Sequence, residues 1–235
     1  MESNQIYTAR RDWVFLLLAG LFLGSLTMLN VLGITKFVDF SFEFGSLQIP
    51  FKFSIGVLPY PITFLCTDLI SELYGEKKAN QVVWVGLLLN LWVLFVIWLG
   101  DLLPSPAGQE YAVFEGIKNS AYACTIGSML AYLLAQFIDV RLFHFIKKKT
   151  KGKRLWLRNN GSTMISQLVD TVAVVLVVYI QSPSVIPVAI GQGTGEAVLV
   201  LIVSMYVFKF FFALLDTFPF YFLTHRLRRY LNLEI

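Results

Sequence analysis

Six long apolar runs most limit what this 235-residue sequence can fold into. A helix needs roughly 20 mostly apolar residues to cross the ~30 Å hydrocarbon core of a bilayer. Charged residues make up only 14% of the chain, against about 25% in soluble domains. The pattern predicts an all-α polytopic membrane protein with six transmembrane helices, forming a single membrane domain over residues 1–235. The predicted spans lie at about 13–34, 55–73, 79–99, 120–146, 163–180 and 197–223.

Basic residues give the predicted orientation, because cytoplasmic loops carry the excess of Lys and Arg. With the N-terminus inside, fifteen of the 19 basic residues fall in cytoplasmic segments, three in outer segments and Lys209 within the sixth run. We therefore expect both termini in the cytoplasm and a location in the cell inner (plasma) membrane. Anchoring at a lipid surface accounts for the net charge of +4, so no nucleic-acid partner is expected.

One segment between the first two runs has a period of two rather than a helical period. Apolar and polar residues alternate from position 40 to position 53, with a turn signal at Gly45-Ser46. Such alternation around a turn is typical of paired strands. The segment therefore predicts a short β-hairpin on the outer surface, and an irregular interfacial loop with aromatic anchors is the alternative.

Ionisable and amide side chains inside the apolar runs are the candidates for a binding site. Each charge at a helix centre costs about 2.5–3.5 kcal/mol on insertion scales, so such residues face inward, pair or stay protonated rather than face lipid as charges. Three pairs are spaced three or four residues apart, which places both members on one face of their helix. A structural network that holds the bundle together is the alternative for any one residue. The candidates are Asp68, Glu72, Gln136, Asp139, Gln167, Asp170, Lys209 and Asn30.

Pairs of an acid and an amide suit the edge of a planar heterocycle. A carboxylate accepts two parallel N–H bonds, and a glutamine amide both donates and accepts. They match a purine-like base with an N–H and an amino group beside a carbonyl, where Lys209 would bond the carbonyl or neutralise an aspartate. The sequence has neither a GxxxxGK[ST] loop nor an HExxH motif. We therefore expect a protein that binds a small polar solute, with no enzymatic activity and no cofactor.

A series of motifs follows the same polar residues along nearly the whole chain. With these motifs the chain resembles the queuosine precursor transporter family, also described as a vitamin uptake transporter family. In chain order the motifs are Pro61-Ile62-Thr63, Thr67-Asp68-x-x-x-Glu72-x-Tyr74-Gly75-x-Lys77-x-Ala79, Asn119-Ser120, Gln136-x-x-Asp139, Leu155-Trp156-Leu157-Arg158-Asn159-Asn160-x-Ser162-Thr163-x-x-Ser166-Gln167-x-x-Asp170, and Lys209.

The resemblance implies uptake of 7-cyano-7-deazaguanine or 7-aminomethyl-7-deazaguanine, precursors of a modified tRNA base, by secondary or facilitated transport. Queuine is the alternative substrate. The resemblance also adds Ser166 to the substrate-binding residues. The expected partners are the small-molecule substrate and the lipid bilayer, and a homodimer stays open. Two other functions remain open as well: the membrane subunit that binds substrate for an ATP-driven uptake complex, and a membrane enzyme or structural membrane protein.

Overall fold

The computed structural model describes residues 2–32, 36–44, 47–104, 112–181, 186 and 193–233. Over these residues the chain is mainly helical, and each predicted apolar run coincides with one helix in the same order. Most helices extend beyond the runs, most of all at the start of the first, fourth and fifth and at the end of the sixth, whereas the second helix begins after the predicted start of its run. They are α1 (Glu2–Leu32), α2 (Tyr60–Tyr74), α3 (Glu76–Leu102), α4 (Ala112–Lys149), α5 (Leu155–Gln181) and α6 (Thr194–Tyr230).

Four of these helices are long and apolar enough to cross a membrane, as judged over the described residues. Their outer faces carry large exposed apolar side chains such as Leu16, Trp92 and Phe218, as lipid contact requires. With 15 residues, α2 is only about 22 Å long, and part of α4 lacks described side chains. Six spans therefore remain a prediction. The four qualifying segments are Tyr7–Leu32, Glu76–Leu102, Leu155–Ile180 and Thr194–Tyr230.

The short helix α2 lies inside the bundle. Eleven of its 15 residues are buried, and it contacts α1, α3, α4 and α6. Pro59 precedes α2 and Pro61 lies in its first turn, where a missing N–H breaks no intrahelical bond, so the prolines start the helix rather than kink it. Gly75 separates α2 from α3 with φ +87°, a conformation that favours glycine. The helix that carries Asp68 and Glu72 is thus surrounded by protein.

Two short antiparallel strand pairs lie between α1 and α2. β1 (Phe37–Asp39) pairs with β4 (Lys52–Ser54), and β2 (Phe42–Phe44) pairs with β3 (Leu47–Ile49). The predicted turn at Gly45-Ser46 lies outside the described residues, although the β2–β3 register brackets it. Phe53 packs against Phe208 of α6 with ring centroids 4.7 Å apart. The strand pairs agree with the period-two pattern, and their location on the outer surface stays a prediction.

Gly86 lies at a tight contact between α1 and α3. A Cβ at this position would lie 2.7 Å from Leu26 Cδ2 and 3.1 Å from Phe22 Cε1, and both side chains are buried with little room to move. We expect Gly86→Ala to overpack this contact, at a cost of about 1–3 kcal/mol, and to lower the melting temperature of the detergent-purified protein. Gly20→Ala is the matched control, because nothing lies within 4 Å of its Cβ position. Equal melting temperatures for the two variants would contradict this packing.

Candidate functional site

Polar side chains fill the region where α2, α4, α5 and α6 meet. They form three levels, each defined by one contact between α2 and α5: Tyr60 with Asp170 in the upper level, Asp68 with Thr163 in the middle level, and Glu72 with Arg158 in the lower level. From the upper to the lower level, residue numbers rise by twelve along α2 and fall by twelve along α5, a distance of about 18 Å at 1.5 Å per residue. The two helices therefore run antiparallel through the same core.

The upper level is a buried ion pair with an aromatic partner. Lys209 Nζ lies 2.8 Å from Asp170 Oδ2, and the two side chains are 1% and 0% exposed. The Tyr60 hydroxyl donates to the same carboxylate oxygen, and Lys209 Nζ lies 3.7 Å from the centroid of the Tyr60 ring. Mutual neutralisation is what allows both charges to lie inside the bundle. Asp170 Oδ1 has no hydrogen-bond partner among the described residues.

The middle level brings together two carboxyl groups. Asp68 Oδ2 accepts a hydrogen bond of 3.4 Å from Thr163 Oγ1, and Asp139 Oδ1 accepts one of 3.1 Å from Ser166 Oγ. The carboxyl groups of Asp68 and Asp139 also lie within hydrogen-bonding reach of each other. Over the described part of the chain neither carboxyl pairs with a cation, and Asp68 Oδ1 and Asp139 Oδ2 have no partner. The middle level therefore combines buried acceptors with hydroxyl donors only.

The lower level is a cation cluster around Glu72. Its carboxylate lies 2.9 Å from Lys147 Nζ of α4 and 2.7 Å from Arg158 Nη2 of α5, and it also pairs with Arg228 of α6. The Glu72 side chain is fully buried, whereas Lys147 and Arg228 are about a third exposed. One carboxylate on α2 thus joins three other helices at this end of the bundle.

The structure divides the nine predicted site residues among these levels. Asp68, Asp139 and Ser166 meet in the middle level, and Asp170 and Lys209 meet in the upper level. Gln136 and Gln167 are buried in the same core, and Gln167 Oε1 has no donor among the described residues. Glu72 belongs to the lower cluster. Asn30 lies in a separate contact, where its Nδ2 donates to Asn90 Oδ1 at 2.8 Å between α1 and α3.

Some residues of the polar core were not predicted as site residues. Thr163 has a detectable signal, because it lies four residues before Gln167, the spacing that shares a helix face. Tyr60 lies about two turns before Asp68 on α2, so both residues lie on roughly the same face of the helix. Lys147 and Arg228 have no such signal, since basic clusters at the ends of apolar runs predict lipid anchors. Their pairing with Glu72 depends on how separate helices pack.

Comparisons with known proteins identify the family. Residues 54–223 match the family described as "Putative vitamin uptake transporter". The chain is 31% identical over 166 residues to a "Probable queuosine precursor transporter" of Bacillus subtilis, a match that covers 69% of this chain and 68% of that protein. It is 25% identical over 128 residues to the "Queuosine precursor transporter" of Escherichia coli, covering 54% and 56% of the two chains. No solved structure matches.

The apolar helices, the buried polar core and these relatives define a multi-pass helical membrane protein of the transporter class. Within that class, the chain belongs to the vitamin uptake transporter family, whose curated members matched here carry the name queuosine precursor transporter. The family that the motifs suggested is thereby confirmed. The match with the Escherichia coli protein spans little more than half of that protein's length.

Proposed function

We propose that this chain is a six-span transporter for uptake of a queuosine precursor across the cell inner membrane, with both termini in the cytoplasm. The substrate would be 7-cyano-7-deazaguanine or 7-aminomethyl-7-deazaguanine, with queuine as the alternative. The names of the relatives support the substrate class, and the basic asymmetry of the sequence supports the orientation. The whole chain would act as one membrane domain that carries its solute unchanged.

The observation that carries the proposal is a set of buried acceptor oxygens without donors among the described residues. Leaving such a group unpaired costs about 1–3 kcal/mol, so these oxygens favour a ligand that brings donors. A guanine-like base presents an N–H and an amino group side by side, and a carboxylate accepts such a pair. The oxygens that we assign to the base are Asp170 Oδ1 and Gln167 Oε1.

The upper level supplies the groups that we assign to the base itself. Gln167 and Asp170 are three residues apart on α5 and would face its donor edge. Lys209, held beside Asp170, would donate to its carbonyl oxygen, and the Tyr60 ring offers an aromatic face nearby. The remaining predicted residues of the core, Asp68, Gln136, Asp139 and Ser166, would complete the wall of the site. Glu72 and Asn30 have firm contacts elsewhere, so we assign both to the frame that supports it.

Gln167 gives the sharpest test of this assignment, because its Oε1 has no donor among the described residues. We expect Gln167→Leu to remove one substrate contact worth about 1–3 kcal/mol and to weaken uptake about 10- to 100-fold. Uptake is measured with labelled 7-cyano-7-deazaguanine in a precursor-requiring strain, with queuosine in tRNA as the second readout. Gln81→Leu is the matched control, since Gln81 is exposed on α3. Normal uptake by Gln167→Leu at equal protein level would show that the site is wrongly assigned.

Reconstitution separates the transporter from the other functions that the sequence leaves open. Purified chain alone in liposomes is expected to take up the labelled base and to release it chemically unchanged. Transport only in the presence of an ATPase partner would indicate the membrane subunit of an ATP-driven complex. Chemical conversion of the base would indicate an enzyme.

A further inference from the structure

The buried carboxyl groups of the polar core differ in their counter-ions. Asp170 pairs with Lys209, and Glu72 pairs with three cations. Asp68 and Asp139 are equally buried, at 1% and 0% exposure, yet neither has a cation among the described residues. The middle level therefore holds two buried carboxyl groups that no cation of the described residues compensates.

The groups that act on this carboxyl pair, which α2 and α4 carry, lie on α5 and α6. α5 contributes the hydroxyls of Ser162, Thr163 and Ser166, which neutralise no charge. α6 contributes Asp216, a further carboxyl whose charge acts on Asp68. Two ionised carboxylates side by side repel strongly where water is excluded. A single proton between them replaces the repulsion with a short O–H···O⁻ hydrogen bond.

Unsatisfied buried oxygens indicate that the carboxyl pair binds a proton or another donor. Asp68 Oδ1 and Asp139 Oδ2 are buried oxygens that lack a donor among the described residues. Ser71, one turn after Asp68 on α2, is fully buried as well, and its Oγ has no partner within the described residues. A proton is the smallest species that satisfies two neighbouring carboxylates without requiring a cavity.

We propose that Asp68 and Asp139 together form the binding site of a coupling proton that crosses the membrane with the substrate. The inference rests on the proposed function and narrows it, because the middle level serves the proton while Gln167 and Asp170 meet the base. The ionised pair takes one proton from outside, and its charge changes from −2 to −1. The same proton leaves to the cytoplasm when the substrate is released.

α5 connects the proton site to the substrate site. Ser166 donates to Asp139 and is the sequence neighbour of Gln167, while Thr163 donates to Asp68 and lies one turn from Gln167. A change of charge on the carboxyl pair therefore alters hydrogen bonds on the turn of α5 that carries the substrate contact. This gives proton binding and base binding a shared structural element, as coupling between two sites requires.

Transport by the purified full chain in liposomes tests the coupling. With the membrane potential held at zero by potassium and valinomycin, an outside-acid gradient of one pH unit should drive about tenfold accumulation of labelled 7-cyano-7-deazaguanine. The double variant Asp68→Asn/Asp139→Asn should lose this accumulation, and Asp101→Asn, which removes an exposed carboxylate, should keep it.

Uptake that merely equilibrates, or accumulation driven by a sodium gradient instead, would overturn the proton assignment and leave the transporter intact. No uptake under any gradient would overturn the proposed function itself.

Infrared spectroscopy tests the proton site without any substrate. Wild-type protein near neutral pH should show the carbonyl stretch of a protonated carboxylic acid, shifted in heavy water. The band should be lost in the Asp68→Asn/Asp139→Asn variant and kept in Asp101→Asn. If the double variant does not fold, the single variants Asp68→Asn and Asp139→Asn take its place, because each should shift or remove the band whereas Asp216→Asn should keep it. A wild-type spectrum with only ionised carboxylates throughout the neutral range would refute the shared proton.

Discussion

Replacing Lys209 with methionine is expected to destabilise the bundle by about 3–5 kcal/mol, the typical cost of removing one partner from a buried ion pair. Methionine fills a similar volume, so the loss comes from Asp170, whose carboxylate is fully buried and keeps only the Tyr60 hydroxyl as a donor to Oδ2. The cation–π contact with Tyr60 is lost as well. The measurement is the thermal unfolding midpoint of the protein purified in detergent.

A double-mutant cycle separates the charge from the packing. Asp170→Asn in the Lys209→Met background removes the uncompensated charge, so the double variant should be more stable than Lys209→Met alone. Lys118→Met is the matched control, because Lys118 pairs with the more exposed Asp101 and Glu115, and such pairs contribute about 0–1 kcal/mol. If Lys209→Met unfolds at the wild-type temperature, the ion pair does not stabilise the core.

Over the described residues, the order and number of helices follow from the sequence because the length of an apolar run is a local property. The helix ends do not, and α5 shows why. The fifth run predicts a start near residue 163, whereas α5 begins at Leu155. Residues 158–160 in the intervening turns are polar, yet they are buried, and Arg158 donates to Gly152 O while Asn160 bonds to Thr217 of α6. Hydropathy cannot detect a polar residue whose partner lies on another helix.

The sequence pattern likewise does not reveal the partners of the candidate site residues. Spacing alone places Asp68 and Glu72 on one face of α2 and suggests one joint role. In the structure they lie in different levels, since Glu72 is bound by three cations and Asp68 by a hydroxyl. Periodicity defines which face of a helix a side chain occupies, whereas its partner depends on the register between helices. The relative position of Gln167 and Asp170 does not depend on the register between helices, because both residues lie on α5.

Glu72→Gln is expected to loosen the end of the bundle that we propose faces the cytoplasm. The carboxylate joins α2 to Lys147, Arg158 and Arg228 on three other helices. Without it, three positive charges face one another, and Arg158, at 3% exposure, is left buried without a counter-ion. An uncompensated buried charge costs about 3–5 kcal/mol, which favours separation of the helices and entry of water.

Accessibility of the buried position next to Glu72 measures this opening. Ser71 is fully buried, so in a background with Cys66 and Cys124 replaced by alanine, Ser71→Cys should react slowly with a membrane-impermeant maleimide. Adding Glu72→Gln should raise the rate at least about tenfold, equivalent to about 1.4 kcal/mol of easier opening. The faster reaction should occur from the cytoplasmic side only. Glu115→Gln, which removes an exposed carboxylate at 53% exposure, should leave the rate unchanged. Because a transporter must release its solute at this end, an unchanged rate in Glu72→Gln would mean that the ion cluster is not what closes it.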